Sequence, residues 1–164
     1  MLKYNSSGDL EWFEMWSGAG TDIGYDVVID SNDNIYVIGT TTTLGTGGYD
    51  ILVLKYNSTG DFKLNLLWGG LNDEIGYGGT ISADNYLYIC GYTTSFNAQS
   101  LDIVLLKYSL AGILIWNVSW SKPGIDIGYG VDTDSFNNIY ICGKTDSIGN
   151  GSYDQLLIKY DSTG

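Results

Sequence analysis

The chain of 164 residues contains neither arginine nor histidine, and its seven lysines face 19 acidic residues, for a net charge of -12. A chain this acidic is repelled by phosphate backbones and lacks the guanidinium groups that read bases, so we expect no nucleic-acid partner. The absence of histidine removes the commonest general base and metal ligand. Any chemistry would have to use carboxylates, hydroxyls, tyrosine or lysine, and we expect no metal and no cofactor.

Long apolar runs and helix signals are also missing. No stretch of about 18 apolar residues is present, so we expect no membrane insertion, and the first residues do not form the apolar core of a signal peptide. The single proline, Pro123, and 23 glycines favour short strands joined by glycine turns. We interpret the chain as a segment of a longer repeat array, because it starts inside one repeat and stops inside another.

What the sequence does contain is an internal repeat. The stretch DIGYDVVIDSNDNIYVIG at residues 22–39 returns at residues 74–91 and 126–143, always with a step of 52 and with no insertion. A fixed period of this size is typical of propellers and solenoids. We therefore expect one repeat array over residues 1–164, with a partial unit 1–21, full units 22–73 and 74–125, and a partial unit 126–164.

Each unit contains four strand signals. In one unit we predict Tyr25–Asp30, Ile35–Thr40, Asp50–Tyr56 and Phe62–Trp68. The second and third are continuously apolar, as in strands buried on both faces, whereas the fourth alternates apolar and polar residues, as in an outer strand. Four strands in about fifty residues predict an all-β propeller of four-stranded antiparallel blades, with about three blades present.

The repeated motifs are YDILVLKYNSTG, an apolar strand ending in Trp-Gly-Gly, Asp/Glu-x-Gly-Tyr-Gly, and Asn-x-Ile-Tyr-Ile-x-Gly-x-Thr. Together they resemble the SBBP family of β-propeller repeats. The resemblance covers the whole chain and implies a blade array of large surface or secreted proteins, without an assigned activity. It transfers no catalytic residue.

Three blades do not close a ring, because propellers usually have four to eight. We expect either further blades or self-association, for example two copies that form a six-bladed ring. The C-terminal LLIKYDSTG overlaps in sequence with LKYNSSG near the N-terminus. A terminal third strand could therefore pair with the fourth strand near the N-terminus.

Two residue types recur where the innermost strand of each blade begins, and they form the candidate ligand site at the mouth of the central channel. A ring of carboxylates there would concentrate cations; the alternative is a solvated loop for the acids and packing between blades for the tyrosines. The candidate residues are Asp22, Tyr25, Glu74, Tyr77, Asp126 and Tyr129.

Two further patterns have a structural interpretation and a functional one. Asp30-x-Asn32-x-Asn34 has the oxygen spacing that opens calcium loops, but no bidentate glutamate follows, and these residues are good turn formers. Cys90 and Cys142 stand where the first unit has Ile38, so we expect buried, unbridged thiols.

The leading function hypothesis is a non-enzymatic scaffold or interaction module. We expect a protein or glycan partner and an extracellular or cell-surface location; four Asn-x-Ser/Thr sequons favour export mildly. Alternatives are a lectin-like propeller and an enzyme with a carboxylate-lined channel. We expect binding on the face with the loops that diverge among units, TTTLGTGG, TTSFNAQS and TDSIGNGS.

Overall fold

The computed structural model describes residues 1–98 and 100–164, and the regular elements of that part of the chain are all β-strands. No helix that could cross a membrane occurs there. The strands are β1 (Leu2–Tyr4), β2 (Leu10–Phe13), β3 (Asp22–Ile29), β4 (Ile35–Thr41), β5 (Asp50–Tyr56), β6 (Phe62–Trp68), β7 (Glu74–Ile81), β8 (Tyr86–Thr93), β9 (Asp102–Ser109), β10 (Leu114–Trp120), β11 (Asp126–Thr133), β12 (Ile139–Thr145) and β13 (Asp154–Tyr160).

The strands form four separate antiparallel sheets, each a simple meander. The first blade is β3-β4-β5-β6, the second blade is β7-β8-β9-β10, and the third blade is β11-β12-β13 without a fourth strand. Strands β1 and β2 pair only with each other, and we call them the N-terminal hairpin. The all-β class and the four-stranded blades predicted from the sequence are confirmed, and the ring is open.

The first strand of each blade begins earlier than predicted, at Asp22 rather than Tyr25 in the first blade. The reason is a close approach of two backbones: Gly24 pairs with Gly39, and a Cβ on Gly39 would overlap the carbonyl of Ile23. The glycine allows pairing to continue up to Asp22, and the same arrangement recurs in the other two blades. A glycine inside a strand often marks such a close approach of two backbones.

The cores lie between blades rather than within one sheet. The core between the first and second blades contains Tyr36, Ile38 and Val53 from one side and Leu87 and Leu106 from the other, all 1% exposed or less. The core between the second and third blades is its equivalent. Each blade is therefore stabilised by its neighbours, as in other repeat architectures.

Candidate functional site

Three tyrosines form a continuous aromatic stripe along the innermost strands. The ring centroids of Tyr25 and Tyr77 lie 5.0 Å apart, and those of Tyr77 and Tyr129 lie 5.3 Å apart. Each tyrosine is the extra residue of a β-bulge, since Gly24 and Asp26 have ladder partners and Tyr25 has none. A bulge re-aims its side chain, and the three rings contact one another edge-on or tilted, with interplanar angles of 66° and 49°.

The stripe combines packing with exposure. Tyr25 and Tyr129 remain 43% and 45% exposed, whereas Tyr77 lies between them. Burial, with the neighbouring Tyr25 and Tyr129 hydroxyls, raises the pKa of Tyr77. The structure thus brings the three predicted tyrosines together, and two of their rings keep an open face.

The three acidic residues of the predicted site lie in different surroundings. Glu74 and Asp126 are completely buried, while Asp22 is partly exposed. Their carboxylates accept hydrogen bonds from hydroxyls of the second strand or the loop after it, which are Thr93 for Glu74 and Ser147 for Asp126. Two of the three carboxylates therefore lie beneath the surface and not in a solvated ring at the channel mouth.

The burial has a simple cause. The loop that precedes β7 folds over Glu74, and the backbone N–H of Gly70 donates a hydrogen bond of 2.6 Å to its carboxylate. In the first blade, the equivalent loop precedes β3, and the backbone N–H of Gly18 there donates a hydrogen bond to the carboxylate of Asp22. The acids hold these loops in place, which a count of charges along the sequence cannot reveal.

A second set of carboxylates was not predicted. Asp50 and Asp102 begin the third strands, are 2% and 3% exposed, and each has one carboxylate oxygen without a hydrogen-bond partner. Burial and the carboxylate of Glu74 raise the pKa of Asp50; burial and Asp126 do the same for Asp102. The signal in the sequence is an acid followed 24 residues later by another acid, at 50/74 and 102/126.

The Asp30 turn uses its carboxylate locally. One oxygen accepts hydrogen bonds from the backbones of Asn32 and Asn34, and the other accepts one from the hydroxyl of Tyr36. Burial opposes ionisation of Asp30, yet these donors lower its pKa. The turn-former interpretation accounts for these contacts.

The two cysteines have different surroundings. Both are free thiols, as expected, and Cys90 is fully buried, but Cys142 is exposed. The prediction of burial is wrong for Cys142 because no blade covers its side of the third blade. Burial raises the pKa of the Cys90 thiol to about 12.

The loop face of the second blade carries two exposed apolar side chains beside a cleft. Leu71 is 80% exposed and Phe96 is 58% exposed, and both line a cleft of about 360 Å³. Phe96 packs on Trp68 with ring centroids 4.9 Å apart, and its φ is 53°, where a non-glycine residue is uncommon. The first and third units have Leu44 and Ile148 at this position. We call Leu71 and Phe96 with this cleft the loop-face patch.

Comparison with known proteins identifies the repeat. The SBBP family, described as a beta-propeller repeat, matches residues 12–45 and 122–150. An uncharacterized WD repeat-containing protein of Acanthamoeba polyphaga mimivirus is 27% identical over 143 residues, which are 87% of this chain and 8% of that protein. The chain thus spans a small part of that relative's length. With the four-stranded blades seen in the structure, the two matches are consistent with an array of SBBP-type β-propeller repeats.

Proposed function

We propose that the chain is a non-enzymatic scaffold module that binds a partner protein through the loop-face patch. The observation that carries the proposal is Phe96, whose ring is more than half exposed while its backbone has a positive φ. Holding a non-glycine residue in this region costs on the order of 1–3 kcal/mol. Such strain is common at binding loops, and an exposed aromatic beside an apolar cleft is typical of an interface anchor.

The absence of catalysis is part of the proposal. The carboxylates at the blade junctions, which are the strongest candidates for acid and base, lie buried under loops. The carboxylate of Glu74 accepts hydrogen bonds from Thr93 and Gly70, and that of Asp126 accepts one from Ser147. A substrate would have to displace these loops before it could reach an acid, which favours a structural role for them.

The test compares the loop-face patch with a matched position on the opposite face. The protein would be expressed in its own cells with a proximity-labelling enzyme, as wild type, as Leu71→Ser with Phe96→Ser, and as the control Phe136→Ser. Phe136 is 84% exposed and lies in the turn between β11 and β12, on the other face. We expect one labelled protein that disappears with the patch variant and persists with the control.

Two results would contradict the proposal. One is that the patch variant labels the same proteins as wild type while its circular dichroism is unchanged. The other is that both variants lose the same labelled protein, since Phe136 is remote from the cleft.

A lectin-like module is the second candidate, and the exposed rings of Tyr25 and Tyr129 favour it. Aromatic faces of this kind are suited to apolar sugar faces. On a glycan array, a hit lost in Tyr25→Ala and Tyr129→Ala, yet kept in the patch variant, would replace the protein-binding proposal by this one.

We also propose that the protein is exported, which the sequons support. Asn5 and Asn57 donate hydrogen bonds to Asp9 and Asp61 within their turns, whereas Asn117 and Asn150 are exposed. In a eukaryotic secretory pathway we expect glycans on Asn117 and Asn150. A protein found only inside the cell, with no mass change after glycosidase treatment, would contradict this.

A further inference from the structure

We infer that two copies of this chain join head to tail into a six-bladed ring, in which β13 of each copy pairs with β2 of the other. This inference does not depend on the loop-face partner. It rests on two unfinished surfaces at opposite ends of the open ring and on the strands each of them needs.

The first unfinished surface is the trailing face of the third blade, formed by Tyr140, Cys142, Gln155 and Leu157. Leu157 is 70% exposed, whereas its equivalents Val53 and Leu105 are each 1% exposed. Cys142 is exposed, whereas Ile38 and Cys90 at the same position are 0% exposed. In the first two blades this face is covered by the next blade.

The second unfinished surface is the leading face of the first blade, formed by Val27, Ile29, Ile35 and Leu54. Val27 and Ile29 are 53% and 60% exposed, whereas Val131, the equivalent of Val27, is 9% exposed. Only the outer part of this face is covered, because Trp12 of the N-terminal hairpin and Trp16, which follows the hairpin, pack on Leu54 and its neighbours.

Each of the two surfaces lacks strands that the other end of the chain provides. The N-terminal hairpin has the third and fourth strands of a blade, and beside it a cavity of about 610 Å³ lies over Val27 and Ile29, where first and second strands belong. The third blade has first, second and third strands, and the outer edge of β13 is unpaired among the described residues. A second copy supplies both, and two copies give six blades, within the usual range of four to eight.

In the inferred dimer, β13 of the second copy replaces β1 as the strand beside β2. Strand β1 pairs with β2 over three residues with an irregular register, and all three of its residues are exposed. By contrast β13 pairs with β12 over seven residues. The exchange therefore breaks only the short pairing of β1 with β2 and leaves the pairing of β13 with β12 intact.

Two polar residues that interrupt the apolar repeat meet in the blade that β11, β12 and β13 of one copy form with β2 of the other. The positions of Ile51 and Ile103 are taken by Gln155 in β13, and the position of Leu66 is taken by Glu14, which directly follows β2. In the first blade Val53 lies opposite Leu66, which makes Ile51 its diagonal neighbour on the same face. Gln155 and Glu14 therefore become neighbours when β13 of one copy pairs with β2 of the other, and the amide can donate to the carboxylate.

A lysine contact also repeats across each blade junction. The ammonium of Lys55 donates to the carbonyl of Leu110, and that of Lys107 donates to the carbonyl of Ser162, at 2.9 and 3.0 Å. Both contacts span 55 residues. In the ring, Lys159 would make the third contact to the carbonyl of Ser58 of the second copy.

The test is a cysteine placed opposite Cys142. At the junction of the first and second blades, a Cβ on Gly79 would lie 3.2 Å from Cγ1 of Ile38. The equivalent pair across the inferred interface is Val27 and Cys142, at a separation suited to a disulfide. On mild oxidation we expect Val27→Cys to form a covalent dimer with two bridges, and wild type and the control Phe136→Cys to form none.

Native mass spectrometry of the wild-type chain gives an independent result. We expect twice the 17.9 kDa mass of one chain. A mass of one chain at every concentration, or crosslinking of Val27→Cys no faster than that of Phe136→Cys, would overturn the inference. A larger open series of masses would mean that copies add without closing, and would also overturn it.

The polar pair tests the strand register. Gln155→Ile alone or Glu14→Leu alone leaves the other polar group buried without its partner, so each should weaken the dimer about tenfold. The double variant should recover most of the loss. Independent, additive effects of the two changes on the dimer dissociation constant would contradict the pairing of β13 with β2.

Discussion

Asp50 at the start of β5 and Glu74 at the start of β7 bring their carboxylates to the two sides of Gly69, at the junction of the first and second blades. A Cβ on Gly69 would overlap both carboxylates, so both lie close to this one backbone position. No lysine among the described residues forms an ion pair with either acid. The junction therefore buries two carboxyl groups without a counter-ion. Asp102 and Asp126 are buried likewise at the next junction, but there Ser121 replaces Gly69 and hydrogen-bonds to Asp102.

The first prediction concerns this junction and Asp50→Asn. Because its pKa is raised above the ordinary 3.8, Asp50 binds a proton more tightly in the folded chain than in the unfolded chain. Its stabilising contribution is complete below the unfolded pKa and is lost as the pH rises through the folded value. We expect Asp50→Asn to melt about 2–4 °C above wild type at pH 8, and the difference to vanish near pH 4.

The matched control is Asp33→Asn, since Asp33 is an exposed turn residue with a φ of 60°, which asparagine tolerates. We expect its melting temperature to follow that of wild type at both pH values. An Asp50→Asn protein that is less stable than wild type at pH 8 would show that the charge of Asp50 is needed at the junction.

The second prediction contrasts two equivalent tyrosines. The hydroxyl of Tyr36 donates to Asp30 at 3.1 Å, but Tyr88 has no partner, because Ser82 stands where the other units have Asp30 and Asp134. Removing a hydrogen bond to a charged group costs about 1.5–3 kcal/mol, whereas removing an unpaired hydroxyl is nearly neutral or stabilising. We expect Tyr36→Phe to destabilise the fold and Tyr88→Phe to leave it unchanged or slightly more stable.

Urea unfolding measures both changes, and Tyr140→Phe provides the internal standard. Tyr140 donates to Asp134 at the same 3.1 Å as in the first unit, but it is less buried than Tyr36. The loss of unfolding free energy in Tyr140→Phe should lie between the losses in Tyr36→Phe and Tyr88→Phe. Equal losses for Tyr36→Phe and Tyr88→Phe would mean that the rings, and not the hydroxyl partners, determine stability here.

The third prediction concerns the paired glycines of each blade. A Cβ on Gly91 would overlap the backbone carbonyl of Ile75, which cannot move without breaking the ladder between β7 and β8. We expect Gly91→Ala to cost about 3 kcal/mol or more. The control is Gly24→Ala, where the added carbon meets only a methyl of Val37 at 3.1 Å. A similar loss for both variants would show that backbone freedom, and not the close approach, is what glycine provides.

The period of 52 residues and the apolar strands were sufficient to predict the blades, because every unit repeats the same alternation and turn residues. The strand bounds of β5 and β6 agree with the prediction to the residue. The early start of β3 was missed, since the approach of Gly24 to Gly39 involves two strands and leaves no local pattern. This error occurred where a contact between two strands, and not the local sequence, determines where the strand begins.

The candidate site was only partly predictable for the same reason. The tyrosine stripe follows from one repeated position, and the sequence located it. The burial of Glu74 depends on a loop of the preceding blade, and the partner of Glu74, Asp50, lies 24 residues earlier. The strain at Phe96 has no equivalent in the other units, so repetition gives no signal for it.

The most direct measurement is the reactivity of the two thiols as a function of protein concentration. Cys90 is buried between blades and should react only on unfolding, at any concentration. Cys142 is exposed in the single chain and lies at the centre of the inferred interface. We predict that Cys142 reacts fast in dilute protein and becomes protected as the concentration rises through the dimer dissociation constant. A Cys142 thiol that reacts equally fast at all concentrations would contradict the closed ring of two copies.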